Sequence, residues 1–213
     1  MGLIELRVHD LLHVPSPDAV EVVDPPLWLA GTLAAAPWVV VRRAPSRNGR
    51  VAVGIRGATR DQRCAAYLDP VHIRQRVAPE DLVARAAWEE APRRAHPVLV
   101  ELARRAPAFT ATGLVWGIAG GAGFELATGM PVLSDSSDLD LILRGAPPLP
   151  ETVLTAFAAL TGEAACRIDV LVETPAGGFS LAEFVGTSDT LLLRRPDGAR
   201  LVARASLRAG VAP

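Results

Sequence analysis

The sequence predicts an α/β (α+β) protein in which a larger domain built on a mixed sheet follows a small β-containing N-terminal domain. Three observations carry this. From residue 112 onward, apolar strand-like runs alternate with helical patterns, as expected of a sheet with helices packed on it. Residues 37–43 and 50–56 are short β-branched runs joined through Ser46-Arg47-Asn48-Gly49, which reads as a hairpin. The 213 residues, half of them hydrophobic, suffice for one good core plus a small second domain.

After the hairpin, Pro79-Glu80-Asp81 forms an acidic first turn for a helix through Glu90, and Pro97 can open another reaching Arg105. The region of Pro107 is expected to end the helices. The domain boundary falls between 75 and 80, giving residues 1–77 to the N-terminal domain with its basic patch and 78–213 to the second. That second domain reads as strand Thr112–Ile118, helix Ala122–Thr128, strand Asp138–Arg144, helix Glu151–Thr161 and strand Arg167–Glu173. Thr190–Arg195 and Arg200–Ala203 flank a Pro196-Asp197-Gly198 turn and could close an edge hairpin. There is no internal repeat and no low-complexity tract.

Composition excludes several chemistries. All 22 basic residues are Arg and none is Lys, which removes a Walker-type phosphate-loop lysine, a Schiff-base lysine and a protein-kinase lysine together. Any phosphate must be held by Arg, backbone or metal. Cys64 and Cys166 are the only cysteines and have no short-spaced Cys/His companions, so they read as small buried residues and not as a disulfide or zinc site. The longest apolar stretches, such as Pro37 to Val41 and Leu139 to Leu143, are far shorter than a spanning helix, and no signal-peptide pattern opens the chain. A cytoplasmic protein without membrane attachment is expected.

The net charge of −1 hides an asymmetry: residues 1–105 carry 15 Arg against 12 acids, and residues 106–213 carry 7 Arg against 11. Nine arginines crowd residues 42–76 against only Asp61 and Asp69. A solvated surface is one reading of such a run and an anion site is the other. With no interleaved aromatics beyond Tyr67, it does not resemble a nucleic-acid stacking platform.

The chemistry concentrates in Ser134-Asp135-Ser136-Ser137-Asp138-Leu139-Asp140-Leu141. Its Asp-x-Asp stands at the mouth of an apolar strand, where period-2 geometry sends Asp138 and Asp140 to one side. Two neighbouring carboxylates repel, and a hard, oxygen-seeking ion such as Mg²⁺ relieves the repulsion. A turn, a cap or a chance pair is the alternative. Upstream, Gly117-Ile118-Ala119-Gly120-Gly121 ends a strand and enters a helical segment, so backbone N–H groups could approach a phosphate there; a tight turn without a ligand is the plainer reading. Downstream, Asp169 lies mid-strand in Ile168-Asp169-Val170, where an unpaired carboxylate is costly to bury. It either faces the other acids or pairs with an arginine such as Arg167.

In order, strand, Gly-Gly, helix, Asp-x-Asp on a strand and a third Asp on a later strand resemble the nucleotidyltransferase (polymerase-beta-like) superfamily. That resemblance implies metal ligation by Asp138, Asp140 and Asp169 and phosphate contacts at Gly120 and Gly121. Two departures are visible: Gly121 stands where Ser is common, and 16 residues separate it from Asp138, somewhat long for the pattern. A closer resemblance runs through Arg7-Val8-His9-Asp10-Leu11-Leu12, Val53-Gly54-Ile55-Arg56-Gly57 with Arg60-Asp61-Gln62-Arg63, Gly123-Phe124-Glu125-Leu126-Ala127-Thr128-Gly129, Ser137 to Leu141 and Glu173 to Phe179. These are similar to the malonate decarboxylase holo-acyl-carrier-protein synthases, which are phosphoribosyl-dephospho-CoA transferases.

The family implies transfer from 2′-(5″-triphosphoribosyl)-3′-dephospho-CoA to a serine of the decarboxylase's acyl-carrier subunit, with pyrophosphate leaving. Asp138, Asp140 and Asp169 would then be catalytic and metal-binding, with two Mg²⁺ ions or Mn²⁺ in their place, and Asp169 would accept the serine proton. Arg56, Arg60 and Arg63 are the choices for the triphosphate or the CoA diphosphate, because Arg presents a fixed fork to phosphate oxygens. His9 and Asp10 read as a structural hydrogen bond or helix cap, Glu125, Glu173 and Asp135 as supporting positions behind the ligands. The four tryptophans read as core, although Trp116 could also flank a base. Competing readings are a nucleotidyltransferase moving NMP from an NTP onto a small molecule or protein, and a non-catalytic nucleotide-binding partner.

Overall fold

The computed structural model describes residues 5–59, 61–146, 148 and 151–209. Arg60 lies outside the described residues. The chain separates into two compact units, 1–78 and 79–213.

The N-terminal unit contains β1 (Leu11–His13), β2 (Val20–Glu21), α1 (Leu29–Ala35), β3 (Trp38–Val41), β4 (Val51–Arg56), β5 (Arg63–Leu68) and β6 (Gln75–Val77). The strands form one antiparallel sheet in the order β2-β5-β4-β3-β1-β6. The hairpin read from the sequence is β3 and β4. Asn48 and Gly49 both hold positive φ, 50° and 75°, and Arg47 and Arg50 exchange backbone hydrogen bonds at 3.1 and 2.9 Å across them, the two-residue turn that an Asn-Gly pair favours. Leu12, Val14, Leu33, Val53 and Leu68 form the core beneath the sheet. Asp10 is fully buried and accepts from Arg76 Nε at 2.6 Å and the Arg7 N–H at 2.9 Å, so it ties β6 to the chain entering β1.

The C-terminal unit runs α2 (Pro79–Ala84), α3 (Pro97–Ala111), β7 (Val115–Ile118), α4 (Gly120–Thr128), β8 (Leu139–Arg144), α5 (Glu151–Ala159), β9 (Ile168–Thr174), β10 (Gly177–Ser180), α6 (Leu181–Val185), β11 (Thr190–Arg195), β12 (Gly198–Ala203) and α7 (Arg204–Ala209). Its mixed sheet is ordered β12-β11-β10-β9-β8-β7, with β8 and β9 parallel and every other pair antiparallel. The parallel pair is joined through α5, since parallel neighbours need a crossover. One sheet face carries Trp116, Leu143, Val172 and Phe179 and is buried; Phe109 of α3 packs on Trp116 and on Phe157 of α5, with centroids 5.4 and 4.7 Å apart. β11 and β12 form the edge hairpin. Among the described residues no helix is long and apolar enough to cross a membrane.

Several local expectations change. The helix opened by Pro79 ends at Ala84 and does not reach Glu90. Ala86 takes φ 46°, and Ala87 and Ala86 donate to the Leu82 and Val83 carbonyls, a reversal that closes a helix end. Past it, Trp88 stacks on Trp116 at 6.4 Å, a burial that outweighs the strain at Ala86. α3 in turn runs through Pro107 to Ala111. Pro107 and Ala103 are both exposed, so the Ala103 carbonyl left without its donor can face water, while Phe109 beyond the proline is completely buried. Trp116, also buried, belongs to this core. Cys64 and Cys166 are half-buried instead of fully enclosed.

Candidate active site

β7 leads through Ala119 directly into α4, and the turn is shaped around one carboxylate. Gly120 holds φ +58°, and a Cβ built there would come within 1.8 Å of Asp140 Oδ2. Any side chain would therefore both strain the backbone and displace the acid. The Ala119 N–H donates to the Asp140 carbonyl at 2.9 Å, extending the β7–β8 pairing to the helix start. Ala119 gives α4 no side-chain cap, which leaves N–H groups of the first turn available; Gly121 is buried within that turn.

Asp140 and Asp169 are direct partners in the parallel β8–β9 register, so both carboxylates project from one face on strands about 4.8 Å apart. Asp138 stands half-exposed at the mouth of β8, anchored by the Leu139 N–H donating to the Arg167 carbonyl at 2.8 Å. Its charge reaches Cys166, whose thiol is pushed up first by burial and then by Glu101 and Asp138. Asp169 pairs with Arg167 at 2.9 Å, the side chains being 44% and 71% exposed; the arginine partner weighed from the sequence is present, and so is the juxtaposition with Asp140. Among the described residues no three His, Cys, Asp or Glu side chains form a ready-made ligand cluster.

Glu125 has a larger part than the sequence alone indicated. This α4 side chain is buried and accepts from the Val132 and Leu133 N–H groups at 2.8 and 2.9 Å and from Arg93 Nη1 at 3.1 Å. Arg93 Nη2 also donates to the Leu133 carbonyl at 3.1 Å. The loop that delivers Ser134 to Asp138 is thereby fastened to α4; the sequence signal was an acid inside an otherwise apolar helix. Glu173 is buried on β9 next to Arg144 in register, and Arg144 bonds Glu80 of α2. Asp135 is exposed.

In the N-terminal unit, Arg56 and Arg63 face one another across the β4–β5 ladder, the first half-buried and the second exposed. The turn between them is closed by the Gly57 N–H to the Gln62 carbonyl at 2.8 Å and the Ala58 N–H to Gln62 Oε1 at 2.9 Å. His9, with φ 76°, donates its N–H to the Val41 carbonyl at 3.0 Å, a structural place in the sheet.

By architecture the chain is a mixed α/β protein of two units, with acids gathered on one face of the second sheet. Comparison with known proteins makes the class specific. Residues 7–79 match the model of the phosphoribosyl-dephospho-CoA transferase MdcG N-terminal domain, and residues 81–205 that of its C-terminal domain. The phosphoribosyl-dephospho-CoA transferase of Azotobacter vinelandii is 44% identical over 200 residues, covering 91% of each chain. The Pseudomonas putida protein of the same name, from strain GB-1, is 42% identical over 92% of this chain and 93% of its own, and that of Pseudomonas aeruginosa 40% over 88% and 92%. No solved structure matches the chain significantly. The chain belongs to the phosphoribosyl-dephospho-CoA transferase family.

Proposed function

We propose that this protein transfers the phosphoribosyl-dephospho-CoA group from 2′-(5″-triphosphoribosyl)-3′-dephospho-CoA to a serine of the malonate decarboxylase acyl-carrier protein, releasing pyrophosphate in the cytoplasm. The carrying observation is the Asp140–Asp169 register beside Gly120 in a chain of this family. We read the C-terminal unit as a nucleotidyltransferase catalytic domain, because strand, glycine turn, helix and acid-bearing strands follow one another in that order.

The acids suit a divalent cation. Asp138, Asp140 and Asp169 offer only oxygen donors, the set that Mg²⁺ or Mn²⁺ takes. The Arg167–Asp169 pair is exposed, and such a pair is worth about 0–1 kcal/mol, so Asp169 can exchange it for a metal. When bound, the cation supplies positive charge to the oxygens of the reacting triphosphate.

The chain's own groups then divide the work. Asp169 takes the proton from the carrier serine as its Oγ bonds to the α-phosphorus; the bond from that phosphorus to the bridging oxygen breaks, and pyrophosphate leaves with the electron pair. N–H groups of Gly120 and Gly121 donate to phosphate oxygens at the uncapped start of α4. Arg56, Arg60 and Arg63 provide forks for the triphosphate or the CoA diphosphate. The acceptor hydroxyl comes with the partner protein. Intact-mass measurement of the carrier, incubated with enzyme, donor and Mg²⁺, should show the phosphoribosyl-dephospho-CoA adduct. An AMP adduct from ATP, with none from this donor, overturns the proposal in favour of a general nucleotidyltransferase.

A further inference from the structure

Five arginines lie between Arg194 and Arg208, and four have partners. Arg195 and Arg200 reach Asp197 at 3.4 and 2.8 Å, Arg204 bonds the Gly186 carbonyl, and Arg208 meets Glu151 at 2.5 Å. Arg195 Nε and Arg208 Nε are also buried without a hydrogen-bond partner, but each of those guanidiniums keeps a carboxylate beside it. Arg194 differs: its Nη1 is buried and its side chain has, among the described residues, neither a hydrogen bond nor an ion pair. A guanidinium N–H withdrawn from water with nothing to donate to is costly, and such a group is suited to an incoming anion.

Its position in the sheet gives the anion an identity. Arg194 is paired with Gly178, Gly178 with Glu173, and Glu173 with Arg144, so these positions share one row and one face. Asp169 lies four residues before Glu173 on β9, and Asp140 four before Arg144 on β8, which puts both acids on that same face. Leu193, the neighbour of Arg194, points to the opposite face and is completely buried. Gly178, adjacent to Arg194, contributes no side chain to the row. Four residues along a strand and two strands across place Arg194 about 16 Å from Asp169. Between them lies Leu171, half-buried and on the same face.

We infer that Arg194 is a binding residue for a second anionic group of the donor, the diphosphate of its dephospho-CoA portion, held on the acid-bearing face at a distance from the reacting phosphorus. This rests on the proposed transfer reaction. In that donor a pair of ribose rings separates the reacting α-phosphorus from the diphosphate, and an extended Arg side chain spans several more ångströms of the gap. The planar fork matches a diphosphate's oxygens.

The test compares the full donor with a truncated one, 2′-(5″-triphosphoribosyl)adenosine, which lacks the diphosphate and pantetheine arm. In Arg194→Gln the KM for the full donor should rise about 10- to 100-fold with kcat nearly unchanged, while the KM for the truncated donor stays put. Arg194→Lys, which keeps charge without the fork, should fall between. Parallel increases for both donors, or no increase for either, overturn the inference. Wild-type protein offers a check independent of variant folding: dephospho-CoA should compete with the donor at least about tenfold more strongly than adenosine does, and equal competition overturns it. Wild-type protein that transfers nothing from the full donor overturns the transfer reaction itself, and this inference with it.

Discussion

Asp140 is the residue on which the local geometry converges, since Gly120 is shaped to its carboxylate and Asp169 is its partner in register. Asp140→Asn or Asp138→Asn should lower turnover about 10³-fold or more with melting temperature little changed, because charge stabilisation is the largest expected contribution. Near-normal rates in either variant would remove these acids from the mechanism. Gly120→Ala tests the cradle from the other side: a Cβ at 1.8 Å from Oδ2 must move the acid, and the left-handed backbone adds roughly 1–2 kcal/mol of strain. Both activity and stability should fall, in contrast to the Asp→Asn variants. Arg56→Ala and Arg63→Ala should raise the donor KM more than they change stability, a charge-assisted phosphate contact being worth about 1.5–3 kcal/mol. Misfolding with unchanged KM in the soluble fraction would make these two structural.

At the scale of elements, α4 organises the site at two places, its start at the Gly120 turn and its interior at Glu125. Glu125→Ala strips two backbone N–H groups and Arg93 of their acceptor. Leaving buried donors without their acceptor costs about 1–3 kcal/mol each, so urea unfolding should shift accordingly and cleavage by protease within residues 130–137 should accelerate. Unchanged unfolding and cleavage would mean that the loop is held by other contacts. Glu101 does a comparable service for α3: it bonds Arg104 and Arg105, and Arg105 continues to the carbonyls after α5, at Leu160 and Gly162.

For the whole molecule, the Glu101 linkage has a pH signature. The Arg104 hydrogen bond, with Arg105 beside it, holds the Glu101 carboxyl down to about 2 against an ordinary 4.5. A depressed carboxyl contributes stability that is full above the unfolded value and lost as pH falls through the folded one. Between pH 4.5 and 2 the wild type should therefore lose melting temperature along a limb that Glu101→Gln lacks; identical acid limbs would show that the pair is not linked to folding. In the proposed reaction the nucleophile is a serine of another protein and not a group of this chain. Cys166→Ser should accordingly leave transfer intact, as its thiol is pushed up by burial and by the Glu101 and Asp138 charges and is a poor thiolate source at neutral pH. Loss of transfer in that variant, with the fold retained, would contradict this.

Local chemistry made much of this legible in the chain itself. Asn48-Gly49 dictates its two-residue turn, β-branched runs make β3 and β4, and the apolar runs around Asp140 and Asp169 mark β8 and β9. The family motifs were also readable, since they are residues in order. Three things were decided only in the tertiary structure. α2 stops at Ala84 because Trp88 is drawn to Trp116, and α3 passes Pro107 because Phe109 is buried beyond it; burial of a large aromatic outweighs the local cost of a positive φ or a missing N–H. Sheet register made Asp140 and Asp169 direct partners and left Arg194 across from Gly178. Register depends on which strands pair, and so brings together side chains that spacing along the chain cannot relate.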